Sequence, residues 1–599
     1  MPLTGRAVHL TVSALPQCLF PMIGLHPDAW RALGGHPVNG LIPCIGTPTA
    51  VVTGDAQFTA ALCGEGRPRS RTGNGFNSAT VKGAAIMNGA ESLVHTLLAS
   101  GVDTCFANPG TSEMHFVAAL DRVAGMKCIL GMAETVVTGC ADGYGRMSGK
   151  PAVTLLHCGP GFANGIANVH NARRARTPMV NLVGDQASYH RPFDPPLTAD
   201  TEGLARAVSD WVRVSASSET VGADGAAAVQ CAKTAPGRIA TLIMPTDTAW
   251  GEGGQIAAPL PVPERQAVLP ETIRAIAGAL RSKEPAILVL SGQVLSEAGL
   301  AAANRVAYAS GAKLLAASHV SRMARGRGRV PIDRVPFSVD SALKVFAGTK
   351  HVVLVGAAPP VAFFAYPGKP SLIAPPDSTT HVLAAPEQDA VTALEWLADE
   401  LGSPKNPPIP ASGSKPGIEH GKFVPEAFGR TLAALLPENC IVADDAVTSG
   451  RALFPLTFAA PPHDWLQITG GAIGQGFPCA TGAAVACPDR KVVCLQSDGG
   501  GMYSLQALWT QAREKLDIVN VVFANRVYRI LQGELLAVGA KPGPASAELF
   551  DLARPELDWV KLAGGMGVEA MRVGTLESFA DAFTSACNRR GPALIEFLI

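Results

Sequence analysis

Apolar residues first take up a sustained helical spacing at Met87, where MNGAESLVHTLLASGVDTCFANPG sets Leu93, Leu97 and Leu98 on one face. The run from Val102 to Phe106 then reads as a short strand. The alternation repeats: PAVTLLHCGPG and MVNLVGD are apolar β-runs, and the helical stretch ANGIANVHNARRA lies between them. Strand–helix–strand order of this kind predicts a parallel sheet. The pattern stops in the Pro/Gly-rich EGGQIAAPLPVPERQAVLP at 252–270 and resumes with AILVLSG, KLLAAS, HVVLVGA and THVLAAP. It stops again in SPKNPPIPASGSKPG at 403–417. IVADD, VVCLQSD, VNVVFAN and ALIEFLI then carry it to the end. The expected fold is α/β, with three doubly wound parallel-sheet domains over 87–252, 270–402 and 418–599.

Residues 1–86 stand apart. They are rich in Gly, Pro and Thr, hold few acids (Asp28, Asp55 and Glu65) and show no sustained period. Poverty in acids suits an organellar targeting segment, but the Arg-rich amphipathic helix of such signals is missing. A disordered extension, or a start upstream of a natural beginning at Met87, is the simpler expectation.

Composition narrows the classes. A chain of 599 residues is too long for one core and fits several domains. Lys+Arg and Asp+Glu are equal at 49 each, so charge gives no reason to expect nucleic acid or an anionic membrane as partner. No run of about 18 uncharged apolar residues occurs that would span a bilayer. The 13 cysteines are odd in number and form no CxxC pair, which argues against a disulfide framework and a zinc site. They read as small buried hydrophobes in a reducing, cytoplasmic setting.

The chemistry is concentrated in two places. LQSDGGGMYS puts Asp498 at the end of a β-run, followed by Gly499, Gly500 and Gly501. Ligands of parallel sheets bind beyond the carboxyl ends of strands, and glycines let an anion approach the backbone. Asn525, 27 residues beyond Asp498, ends the next strand in NVVFANRVY. An Asp carboxylate, an Asn amide oxygen and a carbonyl near Val527, with diphosphate oxygens, make an all-oxygen set for Mg²⁺. An Asp with glycines alone is often only a turn; the Asn at this spacing makes the pattern specific.

The Asp-Gly pair with its later Asn resembles the fingerprint of thiamine-diphosphate enzymes. The likeness runs across 87–599, above all to the acetolactate synthase and benzoylformate decarboxylase group. ITGGAIGQGFPCATGAAVACPDRKVVCLQSDGG is similar over its whole length to bacterial acetolactate synthase large subunits. Two positions depart: Ser497 replaces the usual Gly before the Asp, and Arg526 replaces a small residue beside the metal loop.

The resemblance implies further roles. Glu134, in ILGMAETVVTGCADGYGR, corresponds to the carboxyl group that shares a proton with N1′ of the aminopyrimidine, and it should be nearly buried. Pro109, Gly110 and Thr111 in FANPGTSE match the loop near the thiazolium. His157 stands where benzoylformate decarboxylases carry an active-site His; it is either a proton-transfer residue or a satisfied strand-end histidine. His170 and His190 get only the second reading. Ile473 matches the wedge that bends the cofactor, Gly471 would approach the pyrimidine, and Thr448 and Ser449 would meet the diphosphate. Glu134 and Asp498 would come from different subunits, so a homo-oligomer, dimer or tetramer, is implied. Acetolactate synthases bind FAD in the middle unit; here that unit carries no GxGxxG, and FAD stays open. SHVSRMARGRGRVP is Arg-rich and could meet phosphates, but a solvated loop is the favoured reading.

The implied reaction is decarboxylation of a small 2-oxo acid. The expected course is carboligation of acetolactate synthase type, giving 2-acetolactate from two pyruvates; the alternative is simple protonation to an aldehyde, as in a decarboxylase of benzoylformate decarboxylase type. In GDQASYHRPFDPPLTAD, Phe193 matches a synthase phenylalanine, but Asp194 and Pro195 replace its polar neighbours. A non-catalytic regulatory homologue is the third reading, and retention of Glu134, Asp498 and Asn525 counts against it.

Overall fold

The computed structural model describes residues 87–414 and 416–599. The expectations for 1–86 lie outside the described residues. Three sheets carry the chain. The first contains β1 (Thr104–Asn108), β2 (Lys127–Leu130), β3 (Ala152–Leu156), β4 (Met179–Asp185), β5 (Trp211–Val214) and β6 (Ile239–Pro245). Its order is 2-1-3-4-6-5 and every pairing is parallel. β3, β4 and β6 are buried along their whole length, as near-continuous apolar strands covered by helices on both faces should be.

The second sheet begins with β7 (Ala286–Leu290) and β8 (Lys313–Ala316). β9 (Met323–Arg325) leaves it, and β10 (Asp333–Arg334), β11 (His351–Val355) and β12 (Thr379–Ala384) complete the order 10-8-7-11-12. The third sheet comprises β13 (Ile441–Asp445), β14 (His463–Gln467), β15 (Val492–Ser497), β16 (Ile518–Ala524), β17 (Glu569–Val573) and β18 (Ala593–Leu598), in the order 17-18-16-15-13-14-9. The α/β parallel-sheet expectation therefore holds, with one antiparallel addition: β9 pairs with β14 through Met323↔Trp465 and His463↔Arg325.

That edge strand corrects the solvated-loop reading of SHVSRMARGRGRVP. Arg325 is only 2% exposed. Its guanidinium lies 3.5 Å from the Phe454 ring centre and 4.5 Å from that of Phe458, and it donates to the Phe454 carbonyl and to Thr457 Oγ1. Aromatic faces more than 120 residues downstream hold the cation in the interior, and no local pattern announces them. Burial drives the Arg325 guanidinium below its usual range, and nearby Arg334 pushes the same way.

The first and third sheets are locked by two helices, Glu134–Ser148 and Gly476–Ala486. They cross at glycines. A methyl on Gly482 would overlap the Cys140 carbonyl oxygen, and one on Gly143 the Cys479 carbonyl oxygen. Beside the crossing, Asp142 and Arg146 form a fully buried ion pair at 2.6 Å. Arg146 also donates to the Gln467 carbonyl (2.5 Å) and Thr469 Oγ1 (3.0 Å), while Gln475 and Thr177 donate to Asp142. Such a pair is tolerable in the interior because its donors and acceptors are matched. Ten described cysteines are all free, and six are buried. No helix among the described residues is long and apolar enough to cross a membrane.

The helix crossing makes a direct prediction. Gly482→Ala should destabilise the protein by about 1–3 kcal/mol or more, because backbone must move to admit the methyl. Denaturant unfolding checks it, and an unchanged midpoint would contradict the crossing.

Candidate active site

In an open parallel sheet, ligands settle where successive strands diverge to opposite sides. The first sheet diverges between β1 and β3, the third between β13 and β15. The sequence-derived candidates gather at these two mouths.

At the third-sheet mouth, Asp498 follows β15 and is 3% exposed. Its Oδ1 accepts from Gly499 N (2.8 Å) and its Oδ2 from Arg526 N (2.6 Å). Burial raises its pKa, and no cationic side chain opposes that shift. A desolvated carboxylate held only by backbone N–H groups is prepared for a cation. Asn525 follows β16, and its Oδ1 accepts from Val527 N at 2.9 Å. The structure thus brings Asp498 together with the 525–527 loop, and the donors there are all oxygen. Arg526 takes φ +57°, the left-handed region that favours small residues. Its side chain turns away to pair with Glu556.

Gly499 and Gly500 are buried in the turn after Asp498. A Cβ on Gly499 would overlap the Tyr528 ring, and one on Gly500 would stand 2.5 Å from Ser497 Oγ. The neighbouring loop 470–476 is clamped from two sides. Asn171 Oδ1 accepts from Gly470 N (3.1 Å) and Ala472 N (3.3 Å). Asp445, at the end of β13, accepts on Oδ2 from Gly474 N (2.8 Å), Gly476 N (3.2 Å) and Gln496 Nε2 (3.0 Å). Gly471 (φ +80°) and half-buried Ile473 lie on this clamped loop. Thr448 and Ser449 follow Val447, whose φ of +50° is a genuine outlier for a β-branched residue. Burial pushes the Asp445 carboxyl up to about 6.

At the first-sheet mouth, Glu134 opens its helix and is half-buried, less than the sequence suggests. Its Oε2 accepts from Asn164 Nδ2 at 3.3 Å, and Gly161 leaves room beside Oε1. His157 closes β3 and meets Glu113, whose side chain is wholly buried: Nδ1 lies 3.0 Å from Oε2. Gly110 N donates to the same oxygen at 2.7 Å. Ser112 Oγ bonds Glu113 Oε1 and lies 3.0 Å from His157 Nδ1. A Cβ on Gly110 would overlap the His157 ring, and one on Gly184 would overlap Glu113 Oε1. So Pro109, Gly110 and exposed Thr111 form the loop lying over His157. His157 is hydrogen-bonded through Nδ1, and His170 touches the Gly470 carbonyl at 3.2 Å.

The sequence reading did not single out Ser112, Glu113, Cys158, Gly184 or Asp445. Glu113 stood in the quoted FANPGTSE, in the turn after β1, and Asp445 in IVADD, as the last residue of β13; an acid near the carboxyl end of a strand is the signal both gave. Cys158 has φ +52° and is buried, which pushes its thiol up to about 11.

Asp445 allows a signed pH prediction. Its folded pKa of about 6 exceeds the unfolded value of ~3.9. Between those values the folded state keeps a proton the unfolded chain has lost, so stability falls as pH rises through the window. Asp445→Asn, which keeps the acceptor for Gly474 and Gly476, should remove this slope and gain on the order of 3 kcal/mol relative to the parent on going from pH 4 to 7. Unfolding of both chains across that range is the check; parallel curves would contradict it.

Comparison with known proteins agrees with this geometry. Residues 87–206 match the thiamine pyrophosphate enzyme N-terminal TPP binding domain, and 448–597 the corresponding C-terminal TPP binding domain. A Mycobacterium tuberculosis chain named "Putative acetolactate synthase large subunit IlvX" is 48% identical over 86% of this chain and 99% of its own length. Benzoylformate decarboxylase of Pseudomonas aeruginosa is 27% identical over 83% of this chain and 96% of its own. Among solved structures, the thiamine diphosphate-dependent 4-hydroxybenzoylformate decarboxylase of Rhodococcus jostii RHA1 shares the fold, with TM-score 0.74 and 24% identity over 85% of this chain and 98% of its own. With both thiamine pyrophosphate binding-domain models matched and a relative 48% identical over 86% of the chain, the chain belongs to the family of thiamine pyrophosphate enzymes.

Proposed function

We propose that this enzyme decarboxylates a small 2-oxo acid and then protonates the carbon that has lost CO₂. The observation that carries this reading is the buried Glu113 carboxylate 3.0 Å from His157 Nδ1. Asp498, Asn525 and the Val527 carbonyl would hold Mg²⁺; the buried, cation-free Asp498 carboxylate fits that role. Gly499, Gly500, Thr448 and Ser449 would meet the diphosphate. Gly471 and Ile473 would face the pyrimidine and the bend, and Pro109, Gly110 and Thr111 the thiazolium. The cofactor, when bound, supplies the sink for the electron pair released as CO₂ leaves.

The chain's own residues do the rest. Glu134 holds a proton at the pyrimidine ring nitrogen. Its partial exposure in one chain supports a homo-oligomer, dimer or tetramer, in which a second subunit covers it and brings the Asp498 mouth opposite. Glu113 and Ser112 fix the His157 ring through Nδ1, which leaves Nε2 as the atom that exchanges a proton with substrate. The reaction moves no net electrons and so makes no demand on FAD. The place to seek a flavin is the cavity of about 1040 Å³ lined by Arg173, Arg174, Arg176 and Arg238.

The second reading is carboligation of two pyruvates to 2-acetolactate and CO₂. The name of the M. tuberculosis relative favours it. Incubation with pyruvate and with benzoylformate separates the two: aldehyde supports the first reading and 2-acetolactate the second. Glu134→Gln should abolish CO₂ release while leaving cofactor binding largely intact. His157→Gln should lower kcat by about 10²–10⁴ with little change in KM. Full activity in either variant would contradict the assigned role.

A further inference from the structure

The first-sheet mouth holds one group that the proton relay does not use. Glu113, His157 and Cys158 each offer a ligand atom, and these atoms all lie within 4.8 Å of one another. Ser112 Oγ sits among them, 3.2 Å from Cys158 Sγ and 3.0 Å from His157 Nδ1, and it bonds Glu113 as well. The backbone contributes to this convergence. Cys158 stands at φ +52°, a region that non-glycine residues seldom visit, and its thiol points at Ser112. Gly184 and Gly110 clear the space for Glu113 and the His157 ring. Glu113 is wholly buried and Cys158 is buried, whereas 22% of the His157 side chain is exposed. The cluster is therefore closed on the protein side and reachable from the cleft.

A thiolate sulfur, an imidazole nitrogen and a carboxylate oxygen are the donors of an open Zn²⁺ site, with a fourth position for water or a hydroxyl. The Asp498 site, all oxygen, suits Mg²⁺ instead. We propose that Glu113, His157 and Cys158 form a second metal site that takes Zn²⁺ or a similar borderline cation, and that Zn²⁺ bound there inhibits the enzyme. Zn–S, Zn–N and Zn–O bonds form; the thiol proton and the proton between His157 Nδ1 and Glu113 leave to water, with no change of oxidation state. Bonds of ~2.0–2.3 Å draw the three atoms closer together, which a small rotation of the Cys158 thiol and displacement of Ser112 Oγ allow. The binding claim stands on the donor cluster alone. The inhibition claim rests on His157 as the proton donor of the proposed reaction.

The test uses the full chain with Mg²⁺ and thiamine diphosphate present. Zn²⁺ titrated against a chromophoric chelator should bind at one ion per chain, and Co²⁺ should give a sulfur-to-cobalt charge-transfer band. Cys158→Ser, and Cys158→Gly, which suits the positive φ, should keep metal-free CO₂ release. Both should lose the band and bind Zn²⁺ at least about 10-fold more weakly. Zn²⁺ inhibition that persists undiminished in both variants, or Co²⁺ bound without the band, overturns the site. A Cys158-dependent band with undiminished CO₂ release overturns the inhibition and with it the role of His157, while the site itself stands.

Discussion

The structure turns on carboxylates buried at the carboxyl ends of parallel strands without a cationic side chain to pair with. Asp445 and Asp498 end adjacent strands of the third sheet, and each is solvated mainly by backbone N–H groups. Both have raised pKa values, with burial the leading cause. Desolvation of this kind is costly, and it persists because each carboxylate organises a loop. Asp445 ties down 474–476, and Asp498 ties down 526. The glycines follow from the same demand, since Gly476 and Gly500 pack so near to Gln496 and Ser497 that a side chain would collide.

The first sheet solves a complementary problem. Glu113 is also wholly buried, yet it faces His157, Ser112 and Gly110 N rather than an open loop. On the proposed function, the third sheet would hold a cation and its anion, and the first would handle a proton. The Glu134 helix joins the two within the chain: it begins at the first-sheet mouth and packs at Gly143 against the helix that follows loop 470–476. The buried Asp142–Arg146 pair, bonded to Gln467, Thr469 and Gln475, ties that helix to the same loop. Displacement of either element would disturb both the carboxyl group and the loop that carries Ile473.

Much of this was legible in the sequence because parallel strands announce themselves as apolar runs, and nearly every run quoted from the sequence is a strand. β2, β5, β6, β9, β10, β14 and β17 were missed: HDWLQ mixes charge with aromatics, and EAMRV lies at the sheet edge and carries Glu569 and Arg572. Arg325 was misjudged because Phe454 and Phe458 hold it from far along the chain. Asp498 and Asn525 were singled out from motif spacing, and Glu134 from the family resemblance. Glu113 was not, since its significance comes from the depth of its burial and from a histidine 44 residues away. Glu134 was expected to be nearly buried and is only half so in the single chain.

The most direct measurement is a crystal structure of the oligomer with Mg²⁺ and thiamine diphosphate bound. The account predicts Mg²⁺ held by Asp498, Asn525 and the Val527 carbonyl together with the diphosphate, and a Glu134 carboxyl from a second subunit hydrogen-bonded to the pyrimidine. A diphosphate seated away from Asp498, or a pyrimidine out of reach of every Glu134 in the assembly, would contradict it.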